Sequence, residues 1–199
     1  MLDELLHRVS NHIPRDLQAD RRFPEAAVLV PITRSDEPEL VLTLRASGLS
    51  THGGEVAFPG GRRDPEDPDL VFTALREAEE EIGLPPGLVE VIGPLSPLIS
   101  LHGIKVTPYV GVIPDFVEYH ANDAEIAAVF NVPLEFFRKD PREHTHRIDY
   151  QGCSWYVPSY RFGEYKIWGL TAIMIVELVN LLFDAGTDLH KPPRSFINT

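Results

Sequence analysis

The chain has 199 residues, 43% apolar and 24% charged, with 30 acidic against 18 basic side chains and a net charge of −12. That length holds one sizeable core and would cramp two domains, and the composition excludes a mainly disordered or fibrous chain. So acidic a chain is a poor binder of nucleic acid, which requires phosphates to be neutralised, but a local acidic cluster suits a metal cation.

Cys153 is the only cysteine. It allows neither an internal disulfide nor a thiolate zinc site, and it fits a reducing compartment. The first residues mix Asp3, Glu4 and His7 with leucines and lack the apolar stretch of a signal peptide. The longest apolar region, residues 169–183, is broken by Glu177 and Asn180 and is too short to cross a bilayer. The expectation is a cytoplasmic protein with no membrane, nucleic-acid or protein partner evident.

In chain order, Leu2, Leu5, Leu6 and Val9 recur at helical spacing and predict a short amphipathic helix over 2–11. Apolar runs at 26–32 and 40–44, separated by a turn-rich segment, predict paired strands in a buried sheet. Residues 49–61 are glycine-rich and read as irregular. A helix is expected from Asp67 as N-cap with Pro68 at its first position, ending at Gly83 before Pro85 and Pro86. Further strands are expected at 89–92, 105–112 and 156–162, helices at 124–130 and 170–182, and a mobile tail at 187–199. No repeat or linker divides the chain, so residues 1–199 read as a single domain with a mixed sheet covered by helices.

The central helix carries the informative pattern. Val71, Ala74, Leu75, Ala78 and Ile82 share a core-facing stripe, and Glu77, Glu80 and Glu81 stand at i, i+3 and i+4 on an adjoining face. A solvated acidic face is the common explanation of such residues. Here the acids lie in the last turns, where the helix dipole favours cations, and they repel one another. The combined penalty is on the order of 1–3 kcal/mol, and a divalent cation would remove it.

The segment Arg76-Glu77-Ala78-Glu79-Glu80-Glu81-Ile82-Gly83-Leu84, with Gly61 upstream, resembles the Nudix box. Its second half matches at every fixed position. The spacer acid is best matched by Asp67, with one extra residue before Arg76. Leu42-Thr43-Leu44-Arg45-Ala46, then Gly54-Glu55-Val56-Ala57-Phe58-Pro59-Gly60-Gly61, is similar to the coenzyme A pyrophosphatase branch, which also carries the extra residue. Glu125 to Phe130 with Pro133-Leu134, and Trp168-Gly169-Leu170-Thr171-Ala172, agree with it. Ser50 departs from it, since the branch usually has an arginine there.

The resemblance implies an α/β chain of α+β type, the Nudix fold, with a mixed curved sheet sandwiched between helices. It implies Mg²⁺ or Mn²⁺ as cofactor and hydrolysis of a diphosphate bond in coenzyme A or a thioester, giving 3′,5′-ADP and 4′-phosphopantetheine. Rival readings are another substrate, such as ADP-ribose or a dinucleotide, and a non-catalytic nucleotide-sensing module. The implied metal ligands are Glu77, Glu80, Glu81 and the Gly61 carbonyl. The implied catalytic set is Glu81, Glu80 and Glu125, with Arg76 orienting the glutamates. Glu125 stands open as metal ligand or water-activating base.

Arg45, Arg62 and Arg63 are the nearest cations for a phosphate, and Arg45 is the strongest because its strand should approach the glycine loop. His52 matches a family position near the substrate. Glu55 joins the metal shell or faces solvent. His144 and His146 would share a face on a strand, without an evident third ligand. Cys153 has no partner that would make it a nucleophile.

Overall fold

A computed structural model of the chain describes residues 2–15, 17, 23–48, 53–150 and 152–193. Helix α1 (Leu2–Ser10) leads to β1 (Glu25–Arg34), β2 (Glu39–Arg45), β3 (Val56–Ala57), β4 (Gly60–Arg62) and α2 (Leu70–Ile82). Then come β5 (Glu90–Pro94), β6 (Leu98–Ile99), β7 (Lys105–Pro114), β8 (Ile126–Pro133), α3 (Leu134–Arg138), β9 (Arg142–Tyr150), β10 (Cys153–Phe162), β11 (Tyr165–Ile167) and α4 (Gly169–Phe183).

Among the described residues, eight strands form one mixed sheet ordered β3-β2-β1-β7-β5, with β4 beside β1, β6 beside β7 and β8 beside β2. Strands β1 and β7 are parallel through all ten positions of β1, and the other pairs are antiparallel. Register shifts at Leu44/Arg45 and Val91/Gly93 bend the sheet. The continuous apolar run of β1 has a simple cause: both of its faces are covered. Ala27 and Leu29 face α2 through Ala74, Ala78 and Ile82. Val28, Val30 and Ile32 face the larger core that holds α1 and α4. A three-stranded sheet, β11-β10-β9, contributes Val157, Tyr160 and Ile167 to that same core.

Helix α4 is apolar nearly all round because it is enclosed by α1, α3 and β10. Glu177 is its one charged residue. The carboxylate accepts from Ser96 Oγ at 2.5 Å and from the Ser96 N–H, and His12 Nε2 lies 3.0 Å from it. Ser96 Oγ accepts in turn from the Arg15 N–H at 3.0 Å. This polar clasp fastens the segment after α1 to the centre of the core.

Several expectations are corrected. Asp69, not Asp67, caps α2, accepting from the Phe72 N–H at 2.8 Å. Three aspartates flank Pro65 and Pro68, and composition alone cannot choose among them. Leu70, not Val71, joins the stripe against the sheet. Gly83 ends α2 as expected, at φ 68°, where a side chain would be strained.

The expected helix over 124–130 is strand β8. Its alanines suit a helix, but β2 offers a free edge, and Leu42 to Phe130 and Leu40 to Val132 pair across it. The irregular 49–61 segment contains β3 and β4. The tail is docked through its first part: Asn180 brackets Thr187 with two hydrogen bonds, the Tyr156 N–H donates to the Leu189 carbonyl, and Leu189 is buried. Residues 194–199 lie outside the described residues.

Candidate functional site

The C-terminal half of the helix that carries the glutamates is held by two loops that carry other site residues. Gly60 and Gly61 enter β4 directly from Phe58 and Pro59, and β4 lies antiparallel to β1. Gly60 adopts φ 158°, and a Cβ there would meet the Ala27 carbonyl oxygen at 2.4 Å, so the backbone needs glycine to come this close. From the second loop, the N–H groups of His120 and Asn122 donate to the last carbonyls of α2, Ile82 and Glu81, both at 2.9 Å. The Asn122 carbonyl accepts from Glu125 and Ile126 at 2.8 Å, which turns Glu125 toward the helix end.

Glu81 is at the centre. Its side chain is 4% exposed. Oε2 accepts from the Gly60 N–H at 3.0 Å and Oε1 from Arg45 Nη1 at 3.2 Å. Burial above all pushes its carboxyl up to about 7, with the nearby charges of Glu77 and Glu125 acting in the same direction and Gly60 and Arg45 opposing. Glu77 is also raised, by burial first and then, against Arg76, by Glu80 and Glu125. Glu77, Glu81 and Glu125 therefore sense one another. The Glu125 carboxylate accepts no hydrogen bond from the described residues.

Arg76 and Asp67 form the frame. Arg76 donates from Nε to Asp67 Oδ1 at 3.1 Å and from Nη2 to Asp67 Oδ2 at 3.0 Å. Its Nη1 lies 2.9 Å from Glu80 and 3.0 Å from Glu77, and Nη2 also donates to the Arg62 carbonyl. Asp67 is almost fully buried and accepts two further bonds, from Thr73 Oγ1 and the Asp64 N–H. Arg76, the strongest influence, holds the Asp67 carboxyl far below the usual carboxylate range. Asp67 is thus the anchor of Arg76, and Thr73, a plain helix threonine in sequence, completes the anchor. Nothing in the sequence marked Thr73 or Asn122.

The expected three-glutamate cluster is therefore divided. Glu80 is 58% exposed and turned onto Arg76, while Glu81 faces the other way, onto Arg45 and Gly60. Arg76 and Arg45 relieve part of the repulsion that sequence reasoning assigned wholly to a metal. Arg45 Nε is buried and has no hydrogen-bond partner among the described residues. Arg62 is exposed, and Arg63 is occupied by Glu25 and the Asp67 and Pro68 carbonyls. Glu55 is half-buried, and its carbonyl accepts from the Arg45 N–H at 3.0 Å. His52 and Ser50 lie outside the described residues. Cys153 is an exposed free thiol. His144 and His146 do share a strand face, with ring centroids 4.7 Å apart.

These residues suit a hard divalent cation. The donors are oxygens, two of the carboxylates are raised by burial and mutual charge, and a Cβ on Gly61 would meet Glu77 Cδ at 2.4 Å, so backbone and carboxylate line one cradle. Among the described residues, no three acidic, histidine or cysteine side chains already close into a cage.

Residues 23–147 match the NUDIX domain family. The chain belongs to the Nudix family. It is 43% identical over 177 residues to "Uncharacterized Nudix hydrolase NudL" of Enterobacter sp. (strain 638), covering 89% of this chain and 92% of the relative. The protein of the same name from Cronobacter sakazakii is 44% identical over 177 residues, with the same coverage of each chain. A MutT/nudix family protein from Enterococcus faecalis shares the fold, with a TM-score of 0.57 at 15% identity, covering 92% of this chain and 70% of the other. The chain is a Nudix hydrolase, an enzyme, and Nudix hydrolases generally use divalent metal ions. No helix among the described residues is long and apolar enough to cross a membrane.

The Nudix cradle yields a clean test. Gly61→Ala drives a methyl group into the end of the flexible Glu77 side chain, which can swing away at little cost to the fold. The expected outcome is a melting temperature near wild type with activity reduced roughly 10–100-fold, as for displaced metal-site groups, checked by thermal unfolding and Mg²⁺ titration of turnover.

Proposed function

We propose that this Nudix hydrolase cleaves the diphosphate bond of coenzyme A or its thioesters, releasing 3′,5′-ADP and 4′-phosphopantetheine or its acyl form. The observation that carries the reading is the cradle itself: Glu77 lies against Gly61, Glu81 accepts from the Gly60 N–H and Arg45, and both glutamates feel the charge of Glu125. The same Arg45 and glycines belong to the segment that resembles the coenzyme A branch. Glu77, Glu80, Glu81 and the Gly61 carbonyl are the proposed holders of Mg²⁺ or Mn²⁺. That cation supplies Lewis acidity toward the diphosphate oxygens.

The chain's own groups do the rest. Arg45 offers the exposed part of its guanidinium to a phosphate oxygen while its Nη1 keeps Glu81 in place. Glu81 has both oxygens engaged by Gly60 and Arg45, which fixes its orientation. Glu125, whose carboxylate accepts no hydrogen bond from the described residues, is the better base for the proton of an attacking water. Arg76, saturated by Asp67, Glu77 and Glu80, positions the acids and does not touch substrate. His52, Glu55 and Arg62 are proposed to line the substrate side.

The test is mass spectrometry of products from coenzyme A with Mg²⁺. The expected result is equal amounts of 3′,5′-ADP and phosphopantetheine, abolished by chelator. A second reading, another nucleoside diphosphate conjugate such as ADP-ribose or a dinucleotide, is favoured by Ser50 where the branch usually has arginine. Turnover of such a conjugate with none of coenzyme A would select it.

A further inference from the structure

The face of the second sheet beside the start of α4 carries polar groups that the glutamate site does not use. His146 lies on β9 opposite the buried Val157, and His144, which is exposed, lies opposite the buried Ser159 on β10. His146 Nε2 and Ser159 Oγ are buried with no hydrogen-bond partner among the described residues. Orphaned buried polar atoms are costly, and two on neighbouring positions are unusual.

The His146 ring lies 5.6 Å from the Trp168 ring, an indole that is 37% exposed. Lys166 Nζ stands 5.5 Å over that ring. Lys166 is paired across the sheet with another cation, Arg161, which is itself held by Glu143. Among the described residues, no carboxylate lies within ion-pair distance of Lys166. Burial first, then Lys166 and His144, keep His146 below its ordinary value. A chain of net charge −12 has here gathered a cation, two imidazoles and a part-exposed indole, with Glu143 close by on Arg161.

This cluster is joined to the glutamate site by a short path. Strand β11 packs on β3, and Thr171 Oγ1, three residues after Trp168, donates to the Val56 carbonyl at 3.0 Å. Val56 pairs with Leu44, and the next residue is Arg45, the partner of Glu81. An anionic substrate that meets acids and a cation at one end needs protein cations at its other end.

We propose that Trp168, Lys166, His144 and His146 form a subsite for the nucleotide end of the substrate. The base stacks on Trp168, and a phosphate monoester meets Lys166 and His144. The ligand class is a nucleoside 3′,5′-bisphosphate. The inference rests on the coenzyme A reading and adds to it a preference for the substrate that carries the 3′-phosphate.

The test uses the full chain as wild type, Lys166→Met and Trp168→Leu, each checked by thermal unfolding. Calorimetric titration with 3′,5′-ADP and with 5′-AMP reads the subsite without turnover. Steady-state kinetics with coenzyme A and dephospho-coenzyme A then read it in the reaction. Lys166→Met is expected to weaken 3′,5′-ADP about tenfold and leave 5′-AMP unchanged. It should raise KM for coenzyme A by about the same factor with kcat unchanged, and leave dephospho-coenzyme A unaffected. Trp168→Leu should weaken both nucleotides.

Equal effects of Lys166→Met on both nucleotides, or none on either, overturn the subsite and leave the cluster as packing. Lys166-dependent binding of 3′,5′-ADP by a protein that does not hydrolyse coenzyme A upholds the subsite and removes the coenzyme A reading. Hydrolysis of coenzyme A that ignores Lys166→Met does the reverse.

Discussion

Glu81→Gln is expected to lower turnover on the order of 10³-fold or more while the protein stays folded. The side chain is 4% exposed and bridges the Gly60 N–H and Arg45. An amide of the same shape keeps the volume but cannot carry the charge that a cation needs. Stability should not fall with activity. Burial raises the folded carboxyl from 4.5 to about 7, so the stability it contributes is present below the unfolded value and is lost as pH rises from about 4.5 through 7. A neutral amide avoids that loss. In the presence of chelator at pH 8, the variant should melt no lower than wild type. Glu80→Gln is expected to reduce turnover in the same direction by several orders of magnitude. Near-normal turnover in both variants would remove the metal assignment.

Asp67→Asn is expected to act on the fold first and on catalysis second. The Asp67 carboxylate is buried and accepts four hydrogen bonds, two of them from Arg76. Removing one partner of a buried pair strands the other charge, at a cost of roughly 3 kcal/mol. For a chain of this length that is a fall in melting temperature of roughly 6–12 °C. The pH dependence has a definite sign. Arg76 holds the folded carboxyl below its unfolded value of 3.8. Its stabilisation is therefore complete above about pH 5 and is lost as pH falls below about 4. The gap in melting temperature between wild type and Asp67→Asn should narrow on acidification. Because Arg76 also fixes Glu77 and Glu80, turnover should fall about 10–100-fold. A variant with unchanged melting temperature and unchanged turnover would contradict the anchoring role.

The helix with its glutamates was legible because its signals are local. Gly83 with two prolines beyond it, the 3.6-residue stripe and the Arg-Glu run all lie within 25 residues, and each acts through neighbouring backbone or side chains. The continuous apolar run of β1 was likewise legible as a buried strand, since covering both faces leaves no polar alternation. The segment 124–130 was misread for the opposite reason. Ile126–Pro133 is a strand because β2 lies beside it, a contact more than 80 residues distant in sequence, and its alanines, with Glu125 just before them, carry no trace of that edge.

The amino-acid sequence by itself determined which chemistry the chain holds: oxygen donors on one helix, glycines that permit close backbone approach, and one arginine strand beside them. Only the tertiary structure decided which acids work together. It gave Asp67 to Arg76 and Asp69 to the helix cap, turned Glu80 away from Glu81, and brought Glu125 to the helix end through the backbone of Asn122. Identical carboxylates acquire different roles through burial and partners. Both are set by long-range packing, which spacing along a chain does not encode.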